Sequence, residues 1–262
     1  MGQVIRIKGL YTGDIGFGTV DNPNENLDAD ARAYLTLATG LSAAEKSAVN
    51  AFIVGLKSKN LWAKLSAVYP FLGTGQTGRG ANLRNTSKNL TYSGYSASSE
   101  NTKGWIAVDG MWAGTGLTDT WNNNYVGVYM SVKLGNSKVA CNVSDTTKGI
   151  MSIITRSSGL MTAQVGNSST NVDFPTNSGV GMFSVSTQST SADAYYNNTK
   201  ASVTKPTAST ASEMQLMSYN SAAVVTPGSI MSIALLGAYL TEAEITSLNS
   251  EINTFLTAIG RI

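Results

Sequence analysis

The sequence predicts a mainly β protein: an antiparallel β-sandwich with a helical lead on its N-terminal side and a closing helix at its C-terminal end. Three observations predict it. From Gly104 onward, apolar and polar residues alternate in many short runs separated by Gly, Ser, Asn and Pro, the pattern of strands with one buried face. No helical pattern lies between these runs, which argues against a parallel βαβ sheet. Helical periodicity is confined to the segments before Pro70 and after Leu240.

Length and composition agree with one domain of this kind. A chain of 262 residues can bury a sizeable core. Only 13% of residues are charged, against roughly 25% in most soluble domains. Hydrophobic residues make up 42%, which excludes a disordered chain. A net charge of +2 gives no reason to expect nucleic acid as a partner. The densest basic stretch, Arg79, Arg84 and Lys88, reads as a solvated loop. There is no histidine, which removes His-based triads, imidazole metal sites and the usual pH switch. A single cysteine, Cys141, sits in a strand-like run and reads as a buried small side chain. The longest apolar run, Ile230 to Leu240, is too short to span a bilayer, and no secretory signal is visible.

In chain order, residues 1–26 read as an extended N-terminal arm. Val4, Ile5 and Ile7 form one short strand-like run, followed by a Gly-rich stretch containing Tyr11 and Phe17. A lone terminal strand needs a partner for its backbone groups, either an edge of its own sandwich or a neighbouring subunit. These five residues are therefore the candidate assembly contacts. Residues 27–70 read as the helical lead. Its first helix is expected over 28–39, with Leu27, Ala31, Tyr34, Leu35 and Ala38 on one face and Gly40 beyond its end. The second opens on a capping box, Ser42 and Glu45, and carries Val49, Phe52, Ile53 and Leu56 as its apolar stripe. Leu61 and Leu65 suggest a third helical piece that Pro70 stops.

Residues 71–262 read as the jelly-roll β-sandwich. Val126, Val128, Met130, Val132 and Leu134 alternate with Gly127, Tyr129, Ser131 and Lys133, the period of a half-buried strand. Further strands are expected at 138–143, 149–155, 160–165, 180–186, 192–196, 214–219 and 229–237. The closing helix is expected over 241–259. Thr241 and Glu244 form its capping box, Leu240 and Ile245 a hydrophobic staple. Ile245, Leu248, Ile252, Phe255, Leu256 and Ile259 form its buried stripe, and Gly260 ends it.

The junction LWAKLSAVYPFLG, with Trp62, Tyr69, Pro70, Phe71 and Gly73, and the later pair Asn82-Leu83, resembles the opening of a concanavalin A-like (LamG-like) jelly roll found in structural proteins of tailed bacteriophages, crAss-like phages among them. In that group a helical lead and an aromatic turn precede a sandwich closed by a helix at a G-x-x-L-T-x-x-E turn. Gly237, Leu240, Thr241 and Glu244 match that turn. The resemblance covers residues 27–262. It implies a non-enzymatic virion protein, a capsid decoration or head fibre anchored through its N-terminal segment. Its implied partners are other virion proteins and further copies of itself, a trimer for instance, with neither membrane nor nucleic acid. Its implied place is the virion surface after synthesis in the host cytoplasm. The alternative is a lectin-like tail-fibre or adhesion module that contacts host-surface glycans; a glycanase is third.

Candidate sites were weighed against that background. The glucanases of this fold carry acidic residues two apart on one strand, and retaining enzymes need carboxylates about 5 Å apart. Glu100, Asp109, Asp119, Asp145, Asp173, Asp193 and Glu213 show no such spacing, so no catalytic residue is assigned. Asp119 with Asn122, Asn123 and Asn124 looks like a calcium loop, but one carboxylate is too few for a hard cation; no metal or cofactor is expected. Sugar binding needs a flat aromatic beside amides or hydroxyls. The candidate glycan contacts are Trp112, Trp121, Asn123 and Tyr125 and, separately, Tyr195, Tyr196 and Asn197. The latter group resembles the Tyr-Asn-Gly hairpin of LamG-like domains, with Asn198 in place of Gly.

Overall fold

In a computed structural model of the protein, the described residues are 26–108, 110–120, 123–132, 141–143, 150–155, 160–166, 168–174, 179–203, 211–219, 222–223 and 228–262. The N-terminal arm, including Val4, Ile5, Ile7, Tyr11 and Phe17, lies outside them.

Two helices come first, α1 (Ala29–Leu35) and α2 (Ala43–Ser58). Asp28 caps α1 by accepting from the Asp30 N–H, and the Ser42–Glu45 capping box of α2 is fully formed. Lys57 Nζ reaches both Asp28 and Asp30 at 2.7 Å and ties the helices together. A 3-10 turn at Trp62–Lys64 then leads into β1 (Leu65–Tyr69), and a short helix, α3 (Gly75–Arg79), follows. Next come β2 (Thr91–Ser93), β3 (Glu100–Asn101), β4 (Gly104–Ile106), β5 (Trp112–Asp119) and β6 (Asn124–Val132). They are followed by β7 (Cys141–Val143), β8 (Ile150–Thr155), β9 (Leu160–Gly166) and β10 (Ser168–Asp173). The last strands are β11 (Gly181–Thr187), β12 (Ala192–Tyr196), β13 (Thr199–Val203), β14 (Ser212–Leu216), the small pair β15 (Ser218–Tyr219) and β16 (Ala222–Ala223), and β17 (Ile230–Ala238). Helix α4 (Glu242–Ala258) closes the chain, with its Thr241–Glu244 capping box in place.

Apart from the separate β15–β16 pair, the strands form two antiparallel sheets. Sheet A runs β13-β12-β11-β6-β17-β4-β3, with β1 also paired to β17; sheet B runs β10-β9-β8-β7-β14-β5-β2. Alternate residues of sheet A feed two separate cores. Val126, Val128, Met130, Phe183, Val185, Met231 and Leu236 face sheet B together with Ala113, Met214 and Leu216. Tyr125, Tyr129, Met182, Ile233 and Leu235 face the other way, onto Tyr34, Phe52, Ile53, Leu56, Ile252 and Phe255 of the helices. The molecule is thus a sandwich with a helical layer on one outer face.

Two expectations change as a result. The third helical piece is a strand: from Leu65 the chain pairs with β17 through Val68↔Leu235 and Tyr69↔Ala234. Leu61 and Leu65 satisfy a helical spacing, but five residues are too few to fix a period, and β17 supplies a ladder. Pro70 therefore ends a strand, and the junction is part of the sandwich. Second, β6 is buried on both faces instead of one, because the helices cover the face that carries Tyr125, Gly127 and Tyr129.

The residues of the aromatic turn and the Asn-Leu pair serve as hydrogen-bonding junctions. Asn82, fully buried, accepts from the backbone N–H groups of Val68, Arg84 and Asn85, while the Leu83 N–H donates to the Val68 carbonyl at 2.8 Å. Phe71 adopts a left-handed φ of 49°. Gly104, at φ 143°, lies so close to β17 that an added Cβ would sit 2.2 Å from the Met231 carbonyl oxygen.

Two stability predictions follow from this packing. Phe255 stacks on Phe52 with ring centroids 4.7 Å apart, so Phe255→Ala should destabilise by about 3–5 kcal/mol in a denaturant titration. A near-neutral value would mean that α4 is not packed as described. Gly104→Ala forces backbone against backbone and should cost more than about 2 kcal/mol in the same assay.

Candidate functional site

The candidate glycan residues fall in several different environments. Tyr125 is 0% exposed and Tyr195 2%, both beneath the helical layer; Tyr196 is 4% exposed and lies between the sheets against Phe183. No ring face at these three positions is open to a ligand. Burying the outer face of sheet A places aromatics there that alternation alone would assign to solvent. Asn197 is exposed and takes φ 53°, a conformation that asparagine tolerates, and its side-chain oxygen accepts from the Met182 N–H at 2.9 Å. The left-handed residue of this hairpin is therefore Asn197, which removes any need for glycine at Asn198. Asn123 is exposed at the start of β6, its carbonyl taken by the Tyr239 N–H. Trp121 lies outside the described residues. Trp112 is half-buried, on the first residue of β5; its neighbour Ala113 points into the core, so the indole is on the outer face of sheet B.

The calcium-like loop is a backbone cap. Asp119 accepts from the Thr120 N–H and from the Asn124 side-chain amide at 3.0 Å. Among the described residues no three His, Cys, Asp or Glu side chains gather as a metal site. The other acids have structural partners. Glu100 accepts from the Tyr95 hydroxyl and the Gly75 N–H, Asp193 pairs with Lys200, and Glu213 accepts from the Gly116 N–H. Asp119 and Glu213 are on neighbouring strands but at adjacent ladder positions, opposite Ser212 and Thr118, so they point to opposite faces. Asp109 and Asp145 lie outside the described residues, as does the side chain of Asp173.

The basic stretch is not a solvated loop. Arg79 Nη1 donates to the carbonyls of Phe71, Asn101 and Gly104. Arg84 lies over the Trp62 ring at 5.4 Å and donates to the Trp62 carbonyl. Lys88 donates to the Gly116 carbonyl. Short side-chain reach across tight loops makes these cations staples.

A further staple had no sequence signal. Arg261, three residues beyond α4, is only 3% exposed and donates to the carbonyls of Thr102, Pro70, Ser232 and Phe71. Phe71 O thus receives two guanidinium groups. Burial first, and then the neighbouring Arg79 charge, bring the Arg261 pKa down to about 10. Only its unusual position after a helix-ending Gly260 could have drawn attention to it.

The tyrosines give the fold an alkaline limit. Burial raises the pKa of Tyr34, Tyr69 and Tyr92 above the usual tyrosine range and that of Tyr195 to about 12. Unfolded tyrosines ionise near pH ~10. The stability these groups contribute is therefore complete below that pH and lost as pH rises above it. In an alkaline titration, the tyrosinate absorbance of these residues should rise together with loss of circular dichroism. Ionisation well ahead of unfolding would contradict their burial.

No protein family matches the sequence, and no curated protein does. Solved structures show similarity to this chain. Trypanosoma rangeli sialidase in complex with sialic acid superposes with a TM-score of 0.55 at 7% identity, over 74% of this chain and 34% of the sialidase. Domain 4 of AbnA, a GH43 extracellular arabinanase from Geobacillus stearothermophilus, in complex with arabinotriose, gives a TM-score of 0.47 at 16% identity, over 71% of this chain and 98% of that domain. Domains LG4-5 of the mouse laminin alpha1 chain give 0.34 at 14% identity, over 48% and 38%. This chain spans about a third of the sialidase's length. At 7% identity the likeness to the sialidase is one of fold alone.

Proposed function

We propose that this chain is a non-enzymatic display module: a structural protein on the surface of a tailed-phage virion, attached through its N-terminal segment to other virion proteins and to further copies of itself. One observation supports an architectural role above the others. The weighed acids with described side chains, Glu100, Asp119, Asp193 and Glu213, and the basic loop residues are engaged in backbone, side-chain or ion-pair contacts, and three of the candidate sugar-binding aromatics are buried in the cores. The resemblance of the junction and of the closing turn to phage jelly rolls supplies the setting. An antibody raised against the sandwich should label the capsid surface of purified particles in electron microscopy. Particles that carry no label, or label confined to the tail tip, would overturn the capsid assignment. Incubation with β-glucans should release no new reducing ends; their appearance would overturn the non-enzymatic reading.

A second reading has an observation of its own. Trp112 is partly exposed on the outer face of sheet B, the face on which the helices do not pack. This favours a surface module that also holds a glycan, as a virion-borne adhesin would.

A further inference from the structure

We propose that the outer face of sheet B at the β2–β5–β14 edge is a saccharide platform, with Trp112 as its stacking floor and Glu213 and Thr91 as the groups that take the sugar hydroxyls. The proposal rests on the glycan-binding reading and names its site.

The geometry comes from the ladder. Residues directly opposite one another in an antiparallel pair share a face, and residues two apart on one strand do so as well. Thr91 is opposite Gly114 and Ser93 opposite Trp112. Trp112 and Gly114 are thus successive outward positions of β5, with Thr91 and Ser93 along their flank. On the other side, Glu213 extends over β5. A Cβ built on Gly114 would meet its Oε1 at 2.6 Å, so the carboxylate lies on the same face as the Trp112 indole, one pleat repeat away (about 7 Å). That site needs a glycine, since any other residue at 114 would displace the carboxylate.

The carboxylate is held in place. Between Glu213 and Gln215 the β5–β14 register shifts, and Gly116 sits in the bulge with φ 64°. Its N–H donates to Glu213 Oε1 at 2.8 Å, and its carbonyl accepts from Lys88 Nζ at 3.2 Å. Glu213 Oε2 takes no hydrogen bond among the described residues, and Thr91 is exposed. What results is a flat patch along β2 and β5: the Trp112 indole, a carboxylate seated over the buried Gly114, and the exposed Thr91 hydroxyl, bounded on the β14 side by Gln215, which is opposite Gly114 and 2% exposed.

This chemistry fits a neutral sugar ring. A pyranose or furanose has an apolar C–H face that stacks on indole and adjacent hydroxyls that a carboxylate accepts. An apolar peptide side chain would need a deep greasy pocket, and a bare carboxylate or phosphate brings no hydroxyl for Glu213 Oε2 to accept. The ligand class is therefore a neutral hexose or pentose unit of a glycan.

The test uses the full chain and a panel of neutral oligosaccharides from glucan, galactan and arabinan, titrated by tryptophan fluorescence and calorimetry. Wild type should bind at least one of them, with a fluorescence change. Trp112→Ala should abolish binding, and Glu213→Gln should weaken it roughly tenfold while keeping the fluorescence change. Trp112→Phe keeps an aromatic floor and should retain weakened binding, which guards against a Trp112→Ala protein that fails to fold. If wild type binds and both Trp112→Phe and Glu213→Gln bind equally well, this site is wrong while the glycan-binding reading survives. If wild type binds no sugar at millimolar concentration, that reading and the site fall together.

Discussion

Burial of sheet A on both faces is the constraint on which this molecule depends. β6 and β17 form its spine, and each gives alternate side chains to two cores, one shared with sheet B and one with the helices. A sandwich sheet with one solvated face would show polar residues at Tyr125, Tyr129, Ile233 and Leu235. Here those positions are apolar or aromatic, and α1, α2 and α4 cover them. The helices cannot be discarded without exposing that face, and they lack a core of their own when separated from it.

The ends of the helical layer are fixed by cations on carbonyls. Arg79 and Arg261 approach the Pro70–Phe71 turn from different parts of the chain and share the Phe71 carbonyl. Burying a guanidinium is costly when its donors go unmet. Arg261 meets four backbone oxygens, so the cost is largely offset by charge-assisted hydrogen bonds. The same turn begins where β1 leaves β17, so one junction connects the helical lead, the edge of sheet A and the C-terminal end of α4. This arrangement gives physical content to the run of aromatic and glycine residues at 69–73, which sequence inspection reads only as a boundary.

The two cores also explain the distribution of chemistry. Tyr125, Tyr195 and Tyr196 are needed for packing, and Asp119, Glu100 and Asp193 for local backbone or ion-pair contacts. The proposed recognition patch lies on the other side of the sandwich, on the face of sheet B that the helices do not cover. There a bulge at Gly116 and a gap at Gly114 admit a single carboxylate beside a single indole.

Local chemistry was legible from the sequence alone. Ser42–Glu45 and Thr241–Glu244 announce their helices because a capping box satisfies backbone donors within four residues, and the stripe from Ile245 to Leu256 needs only the helical period. The alternation after Gly104 specifies strands for the same reason. Which face of a strand is covered is a different matter. It depends on elements tens to more than a hundred residues away, so the burial of Tyr125 and Tyr195, the switch of Leu65–Tyr69 from helix to strand, the capture of Arg261 and the placing of Glu213 over Gly114 came only from the tertiary structure. Short-range hydrogen bonding and periodicity are properties of neighbouring residues; layer order and strand pairing are properties of the assembled chain.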